Sequence, residues 1–249
     1  MLALLWCVFC SASLSAQESR YRIALCQYGC PEGAAPENHL IVRPVYVLSY
    51  NTTYKSADWV AYSVSAGSIG IASSLSRAAL EDSYVIETLT RADFDALEGT
   101  RLARSTYVPL VNFAGTPYWQ DINYLTNAVA RRTNLNQGAW YGLEWAVRNL
   151  VSREGVINVL AGPIYDGQAE PRHIATATAH RIPDAFFKIV FDSQGRGTAF
   201  ILPQEAPVHL HHCELRTSVE EIKRQTGLRF FPDNPTLTLE PLDTSLGCF

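Results

Sequence analysis

The chain has 249 residues, 47% of them hydrophobic, which is enough to bury a substantial core. It carries 20 basic and 24 acidic side chains, for a net charge of −4. A protein that binds nucleic acid through its global electric field is usually basic. The composition therefore argues against that mode, and any phosphate contact must come from a local cluster of arginines.

The first 16 residues, MLALLWCVFCSASLSA, are uncharged, largely apolar and end in small residues. This pattern predicts a secretory signal peptide, too short to span a bilayer comfortably, followed by a single domain over residues 17–249. No Lys or Arg precedes the apolar run, which departs from the usual signal-peptide pattern. The alternative interpretation is a buried N-terminal strand. We expect a secreted or periplasmic protein, because no other window is long and apolar enough to cross a membrane.

Removal of the signal peptide would leave four cysteines: Cys26, Cys30, Cys213 and Cys248. An even number in an exported chain favours two disulfides. The short CQYGC loop suggests Cys26–Cys30, which leaves Cys213 to pair with Cys248. The alternative is a zinc site formed by the first three cysteines and a histidine of the HLHHC segment. Export and the remaining Cys248 argue against zinc.

Hydrophobic patterning predicts an α+β fold with a central antiparallel sheet flanked by helices. Two β-rich runs, LIVRPVYVLSY and WVAYSV, flank a polar turn at residues 51–55 and predict a hairpin. A short strand is expected over residues 106–110. Two more strands are expected in the segments GVINVLAGPIY and FFKIVFDS, the second ending in a turn at residues 195–197 before TAFILP.

The clearest predicted helix covers residues 134–153, and its apolar side consists of Leu135, Leu143, Val147 and Leu150. Within it, Glu144 and Arg148 stand four residues apart, so their side chains can touch. The segment SVEEIKRQTGLRFF predicts a short helix that is capped at its start, ends at Gly227 and continues into an apolar strand.

Several segments resemble, in order and spacing, the DNA/RNA non-specific endonucleases of the Serratia type, which use a single metal ion in a ββα-metal module. CQYGCP, IVRPVYVLSYN and DWVAY resemble the first disulfide and opening hairpin of that family. NYLTN, LNQGAWYGLE, AGPIY and AHRIPDAFFK resemble its core, and EIKRQTGL resembles its C-terminal part. No single segment is specific, but together they cover most of the chain from Cys26 to Cys248. The resemblance places the metal module at residues 103–148.

The resemblance assigns a role to each of several residues. Asn136 takes the place of the only direct protein ligand of a divalent cation, which is usually Mg²⁺, with Mn²⁺ as a substitute. Glu144 takes the place of a glutamate that holds metal-bound water, and Arg148 that of an arginine that stabilises the phosphate. Arg77, five residues before Asp82, has the spacing of a further phosphate-binding arginine. Without the resemblance, Asn136 would be interpreted as a helix cap, and Glu144 and Arg148 as a solvated ion pair.

The family signature Asp-Arg-Gly-His is degenerate in this chain. Counting back from NYLTN aligns its four positions with Ala103, Arg104, Ser105 and Thr106. The arginine is kept, but Thr106 stands where a histidine deprotonates the attacking water. A threonine hydroxyl cannot accept a proton at neutral pH as imidazole does. The Pro-Gln pair that precedes the metal segment in the family is Ala130–Arg131 here, which adds positive charge.

No other histidine takes a motif position; the candidates are His173, His180, His209, His211 and His212. Two functional hypotheses follow. One is a working metal-dependent endonuclease that activates water by another base or by metal hydroxide. The other, which the residue chemistry favours, is a pseudo-nuclease that binds nucleic acid or another anion without hydrolysis. A purely structural exported protein would leave the spacing of the site residues unexplained.

The expected partners are the phosphate backbones of DNA and RNA, bound without regard to sequence. Arg104, Arg131 and Arg148, with Arg77, are expected to form the local basic patch. No membrane partner is expected, and a homodimer remains open.

Overall fold

The computed structural model describes residues 22–85, 87–168, 170–174 and 180–249. The expected signal peptide at residues 1–16 lies outside these ranges. No helix within them is long and apolar enough to cross a membrane. The strands are β1 His39–Val42, β2 Val47–Asn51, β3 Ser56–Val64, β4 Leu102–Thr106, β5 Ala128–Arg132, β6 Ile157–Ile164, β7 Ala185–Phe191, β8 Gly197–Pro203 and β9 Arg216–Thr217. The helices are α1 Arg91–Asp95, α2 Thr133–Gln137, α3 Ala139–Glu154 and α4 Val219–Thr226.

Seven antiparallel strands form the main sheet, in the order β1-β2-β3-β6-β7-β8-β9. The central strands are apolar along almost their whole length because other elements cover both faces of the sheet. On β7, Phe186 and Val190 lie in the core of one face, and Phe187 and Ile189 lie in the core of the other. Lys188 lies between Phe187 and Ile189, and successive side chains of a strand point to opposite faces, so Lys188 is on the same face as Phe186. This arrangement places a buried lysine under the candidate site.

The two faces of the sheet are covered by different parts of the chain. Helix α3 packs on the face of Phe186 through Leu143, Val147 and Leu150, as the apolar periodicity of the sequence predicted. The other face is covered by the segment around Cys26 and by Ile222 of α4. The α+β fold with a central antiparallel sheet flanked by helices is therefore confirmed.

The hairpin of β4 and β5 forms a separate two-stranded sheet, followed directly by α2 and α3. Its register pairs Ala103 with Arg131 and Thr106 with Ala128. The side chain of Asn127 extends the pairing beyond the hairpin, because its amide both donates to and accepts from the backbone of Val108 at 3.2 and 3.0 Å. This strand–strand–helix unit is the predicted ββα module over residues 103–148.

Three local predictions were wrong. The strand expected at residues 106–110 ends at Thr106, because Pro109 precedes a 3-10 turn at Leu110–Asn112. The helix expected over residues 134–153 is interrupted at Gly138, where a Cβ atom would lie 2.4 Å from the carbonyl oxygen of Val208. No strand follows Gly227; Arg229 makes one isolated bridge to Glu32 instead.

Both predicted disulfides, Cys26–Cys30 and Cys213–Cys248, are formed. The alternative zinc site is therefore wrong, since every cysteine it needs is bonded to another cysteine. His211 and His212 lie near Cys213. However, the sulfur of Cys213 belongs to the second disulfide and is not a thiolate ligand.

Candidate functional site

A cavity of about 290 Å³ opens between the hairpin, α2 and α3. It brings together side chains that lie up to 71 residues apart in the sequence, the span between Arg77 and Arg148. All six residues that the sequence placed in the active site line it: Arg77, Arg104, Thr106, Asn136, Glu144 and Arg148. The structure therefore brings these residues together, whereas their chemical roles remain predictions.

Positive charge dominates the lining of this cavity. It contains Arg77, Arg104, Arg131 and Arg148, with Glu144 as the carboxylate among the described lining residues. Arg104 is held by a hydrogen bond from its guanidinium to the carbonyl oxygen of Arg77. Burial, together with the charge of Arg91, lowers the pKa of Arg104. Although the whole chain has a net charge of −4, this pocket is distinctly cationic.

Arg131 on β5 is the most deeply buried of these cations, with 1% of its surface exposed. Its guanidinium lies over the ring of Trp140 at 3.6 Å and near that of Phe186 at 4.8 Å. It donates to Asn136 Oδ1 at 3.0 Å and to the carbonyl oxygen of Thr106 at 3.2 Å. Burial lowers its pKa to about 9, against the opposing effects of Tyr107 and Glu144, so the group is still protonated at neutral pH.

Glu144 is held through both of its oxygens. Lys188 of β7 donates to Oε1, and the amide of Asn112 donates to Oε2 at 3.4 Å. The ammonium of Lys188 also lies 3.8 Å from the ring centroid of Trp140. Burial lowers the pKa of Lys188 to about 8, while the nearby Glu144 carboxylate opposes this shift. The ammonium group lies within salt-bridge distance of Glu144 Oε1. Glu144 is therefore already neutralised by a cation from the sheet.

Arg148 does not form the ion pair with Glu144 that the four-residue spacing allowed. Its guanidinium donates instead to Asn112 Oδ1 at 3.4 Å. Asn112 thus bridges Arg148 and Glu144 and fixes the two side chains relative to one another. Nor is Asn136 a helix cap, since it is the fourth residue of α2. Neither alternative reading of these residues is correct.

The resemblance implies a divalent cation at Asn136, and the surrounding residues test that expectation. The two acceptor positions of Asn136 Oδ1 are taken by Arg131 and by Ser105, whose hydroxyl donates at 3.2 Å. Two unit charges about 4 Å apart repel by roughly 4 kcal/mol at an effective dielectric constant of about 20, and a divalent ion doubles this repulsion. In this arrangement the residues do not fit a divalent cation. The role of Asn136 as a ligand of Mg²⁺ or Mn²⁺ stays a prediction.

No histidine of the described chain lines the cavity. His180 is fully buried, and its Nδ1 lies 3.1 Å from the carbonyl oxygens of Tyr54 and Lys55. Since carbonyl oxygens only accept, Nδ1 carries the hydrogen, and Nε2 accepts from the backbone amide of Ala130 at 3.4 Å. His180 therefore attaches β5 to the β2–β3 turn. It has no access to the cavity as a general base.

Sequence reasoning missed the parts of the site that depend on distant contacts. It assigned no role to Asn112 or Lys188, although Lys188 interrupts the apolar run FFKIVF. A lysine inside a buried strand is a recognisable signal, because it is rarely buried without a partner. No comparable signal marks Asn112.

Known proteins resemble this chain over almost its whole length. A profile of the DNA/RNA non-specific endonucleases matches residues 23–237. The nuclease of Serratia marcescens is 33% identical over 264 aligned residues, which cover 100% of this chain and 97% of the relative. Mitochondrial endonuclease G of Bos taurus is 26% identical, covering 84% of this chain and 73% of the relative.

A solved structure supports the fold independently. It is described as a crystal structure of the EndoG/EndoGI complex, and it superimposes with a TM-score of 0.73 at 20% identity over 84% of this chain and 90% of the other. At that identity the likeness concerns the fold alone. The match of the family profile and the full-length similarity to the Serratia enzyme carry the assignment further: the chain belongs to the DNA/RNA non-specific endonuclease family.

Proposed function

We propose that this protein is an exported pseudo-nuclease that binds the phosphate backbone of DNA and RNA and hydrolyses it weakly or not at all. The observation that carries the proposal is the cavity lined by Arg77, Arg104, Arg131 and Arg148 around a single, already neutralised carboxylate. Phosphate contacts of this kind supply affinity without reading base sequence.

Two features beside the cavity also suit nucleic acid. Tyr141 lines the cavity, and Trp145 follows one turn later on α3; both are exposed. Aromatic rings next to a cationic groove are typical of proteins that bind single strands, because every base has a face that can stack on them. We therefore expect single-stranded DNA and RNA to bind at least as well as duplexes.

The weak or absent hydrolysis follows from Thr106 in the place of the family histidine. The loss of a positioned general base reduces rates by ~10²–10⁴-fold. No described histidine lines the cavity to replace it. Cleavage by this protein should accordingly be slower than that of a family member with an intact signature by about two orders of magnitude or more.

The second candidate function is a working endonuclease that uses Mg²⁺ or Mn²⁺. The observation in its favour is that Asn136 and Glu144, at the family offset of eight residues, line the same cavity. In that case Asn136 would hold the ion and Glu144 its bound water, and Arg131 would have to leave Asn136 Oδ1.

Export rests on the two disulfides, which are rare in reducing compartments, and on the apolar N-terminal run. We propose that residues 1–16 are removed and that residues 17–249 act as one domain. N-terminal sequencing of protein from the periplasm and the medium tests this part by itself.

The binding experiment uses fluorescence anisotropy with short labelled DNA and RNA strands of several sequences, in EDTA, over a range of salt concentrations. Contacts to about three phosphates of a single strand should give a slope of log affinity against log salt of roughly −2, with little dependence on sequence. Arg104→Ala combined with Arg148→Ala should weaken binding strongly. The control pair, Arg224→Ala with Arg229→Ala, removes exposed arginines outside the cavity and should not.

The cleavage experiment is plasmid nicking with Mg²⁺ or Mn²⁺ and with EDTA. We expect weak or absent nicking. Robust nicking that EDTA abolishes would contradict the pseudo-nuclease proposal and support a working metal-dependent endonuclease. An absence of binding to any strand at low salt would remove nucleic acid as the ligand.

A further inference from the structure

The guanidinium of Arg131 is a buried cation without an ion-pair partner. Within the described chain, no carboxylate oxygen lies within salt-bridge distance of it, and its Nε atom has no hydrogen-bond partner. Its two recorded acceptors are an amide oxygen and a peptide carbonyl. A buried charge normally acquires a counter-charge, because desolvation is costly. The open cavity beside Arg131 is the place from which an anion can supply one.

The position of this guanidinium is tightly fixed. Trp140 and Phe186 hold its plane, and the bonds to Asn136 and Thr106 fix its rotation. A planar guanidinium held in this way is suited to oxyanions, since its donors are preorganised and its charge is weakly hydrated. Arg104 and Arg148, from the facing strand and from α3, supply further donors to the same cavity.

We propose that Arg131 replaces a divalent cation in this site, so that the cavity is a metal-independent receptor for the phosphate oxygens of nucleic acid. The inference rests on the proposed function and deepens it, because it states which charge neutralises the bound phosphate. It also explains the misfit at Asn136: the oxygen that would coordinate an ion serves to hold Arg131 in place.

Arg132, the next residue on β5, provides a matched control. It is also an arginine of the hairpin, but it pairs with Glu205 at 2.8 Å and does not line the cavity. Arg131→Gln and Arg132→Gln therefore make the same chemical change at adjacent positions. One variant removes the proposed phosphate receptor and the other does not.

The experiment has two readouts, neither of which is cleavage. The first is binding of a short fluorescent DNA strand in EDTA and in Mg²⁺, followed by anisotropy. The second is binding of Mn²⁺ alone, followed by the loss of the free-ion signal in electron paramagnetic resonance. Circular dichroism and urea unfolding confirm that each variant is folded.

The wild type should bind the strand equally well in EDTA and in Mg²⁺, and it should leave the Mn²⁺ signal unchanged. Arg131→Gln should lose about 10- to 100-fold in affinity for the strand in EDTA, as removal of a charged donor implies. The same variant should gain Mn²⁺ binding, because Asn136 Oδ1 is freed. Arg132→Gln should match the wild type in both measurements.

Stoichiometric Mn²⁺ binding by the wild type would overturn the inference, and this arm needs no variant. Undiminished strand binding by folded Arg131→Gln in EDTA would also overturn it. A wild type that binds no strand, in combination with Mn²⁺ binding gained by Arg131→Gln, would remove the proposed nucleic-acid function. The replacement of the metal by Arg131 would then stand on its own.

Discussion

Two buried cations, on different sheets of the molecule, contact the same aromatic ring and differ in their partners. Lys188 on β7 and Arg131 on β5 lie 3.8 and 3.6 Å from the centroid of Trp140. Lys188 is paired with the carboxylate of Glu144, whereas Arg131 contacts neutral oxygens. Similar burial thus produces two electrostatic situations: one cation forms an ion pair inside the fold, and the other has the charge of Glu144 nearby but no ion-pair contact.

On the proposed function, this difference distinguishes a cation that stabilises the fold from one that binds phosphate. Removing either member of a buried ion pair lowers the free energy of unfolding strongly, because the remaining charge is then buried without a partner. An uncompensated charge contributes little to folding, since its aromatic and hydrogen-bond contacts roughly offset its desolvation. We therefore expect Lys188 to matter for stability and Arg131 to matter for binding.

The largest expected effect belongs to Lys188→Met. This change leaves the Glu144 carboxylate buried beside Asn112 without its counter-ion, so the free energy of unfolding should fall by about 3–5 kcal/mol. Urea unfolding monitored by tryptophan fluorescence measures the loss. The double variant Lys188→Met with Glu144→Gln should recover most of it, because no charge of the pair remains. A loss below about 1 kcal/mol in the single variant would mean that the pair is not compensated as described.

The sequence predicted those parts of the molecule that follow from local periodicity. The alternation and apolar runs located β2, β3, β6 and β7, and the helical period located α3. The interruption at Gly138 could not be predicted, because it depends on the approach of the carbonyl group of Val208, 70 residues later. A glycine inside a helical pattern costs only about 1 kcal/mol, so by itself it does not predict a break.

The site was predictable to the extent that spacing decides it. Asn136 and Glu144, which the resemblance assigned to one site at an offset of eight residues, line the same cavity. The hydrogen-bond partners of the Glu144 carboxylate and the Asn136 amide could not be predicted, because they belong to other elements of the fold. Lys188 reaches Glu144 across 44 positions of sequence, and Arg131 reaches Asn136 only through its placement between Thr106 and Trp140.

His180 is a third buried titratable group, and it differs from Lys188 and Arg131 because it is neutral when folded. Burial lowers its pKa to about 4, against the opposing effect of the Lys55 and Tyr54 carbonyls. Between pH 6.5 and about 4, the unfolded chain binds a proton at this residue that the folded chain does not. Stability should therefore fall as the pH falls through this window, by about 3 kcal/mol, and the contribution should level off below it.

Urea unfolding at several pH values measures this effect as a difference between variants. His180→Gln cannot titrate, so its stability should depend less steeply on pH between 6.5 and 4 than that of the wild type. His209→Gln removes an exposed histidine that does not contribute to the shift at His180 and should keep the wild-type slope. Equal slopes for the wild type and His180→Gln would show that the histidine does not stay neutral in the folded state.

The smallest expected effect on folding is that of Arg131→Gln, in direct contrast to Lys188→Met. A cation over a buried ring contributes about 2 kcal/mol, and the two hydrogen bonds contribute more, but the cost of burying an unpaired charge offsets them. The free energy of unfolding in EDTA without ligand should change by less than about 1 kcal/mol. An added DNA strand stabilises the folded protein by RT ln(1 + [L]/Kd), so a variant that binds it more weakly gains less stability. The strand should therefore raise the Tm of the wild type and of Arg132→Gln more than that of Arg131→Gln. If Arg131→Gln were instead as unstable as Lys188→Met, Arg131 would be part of the scaffold, and the distinction between the two cations would disappear.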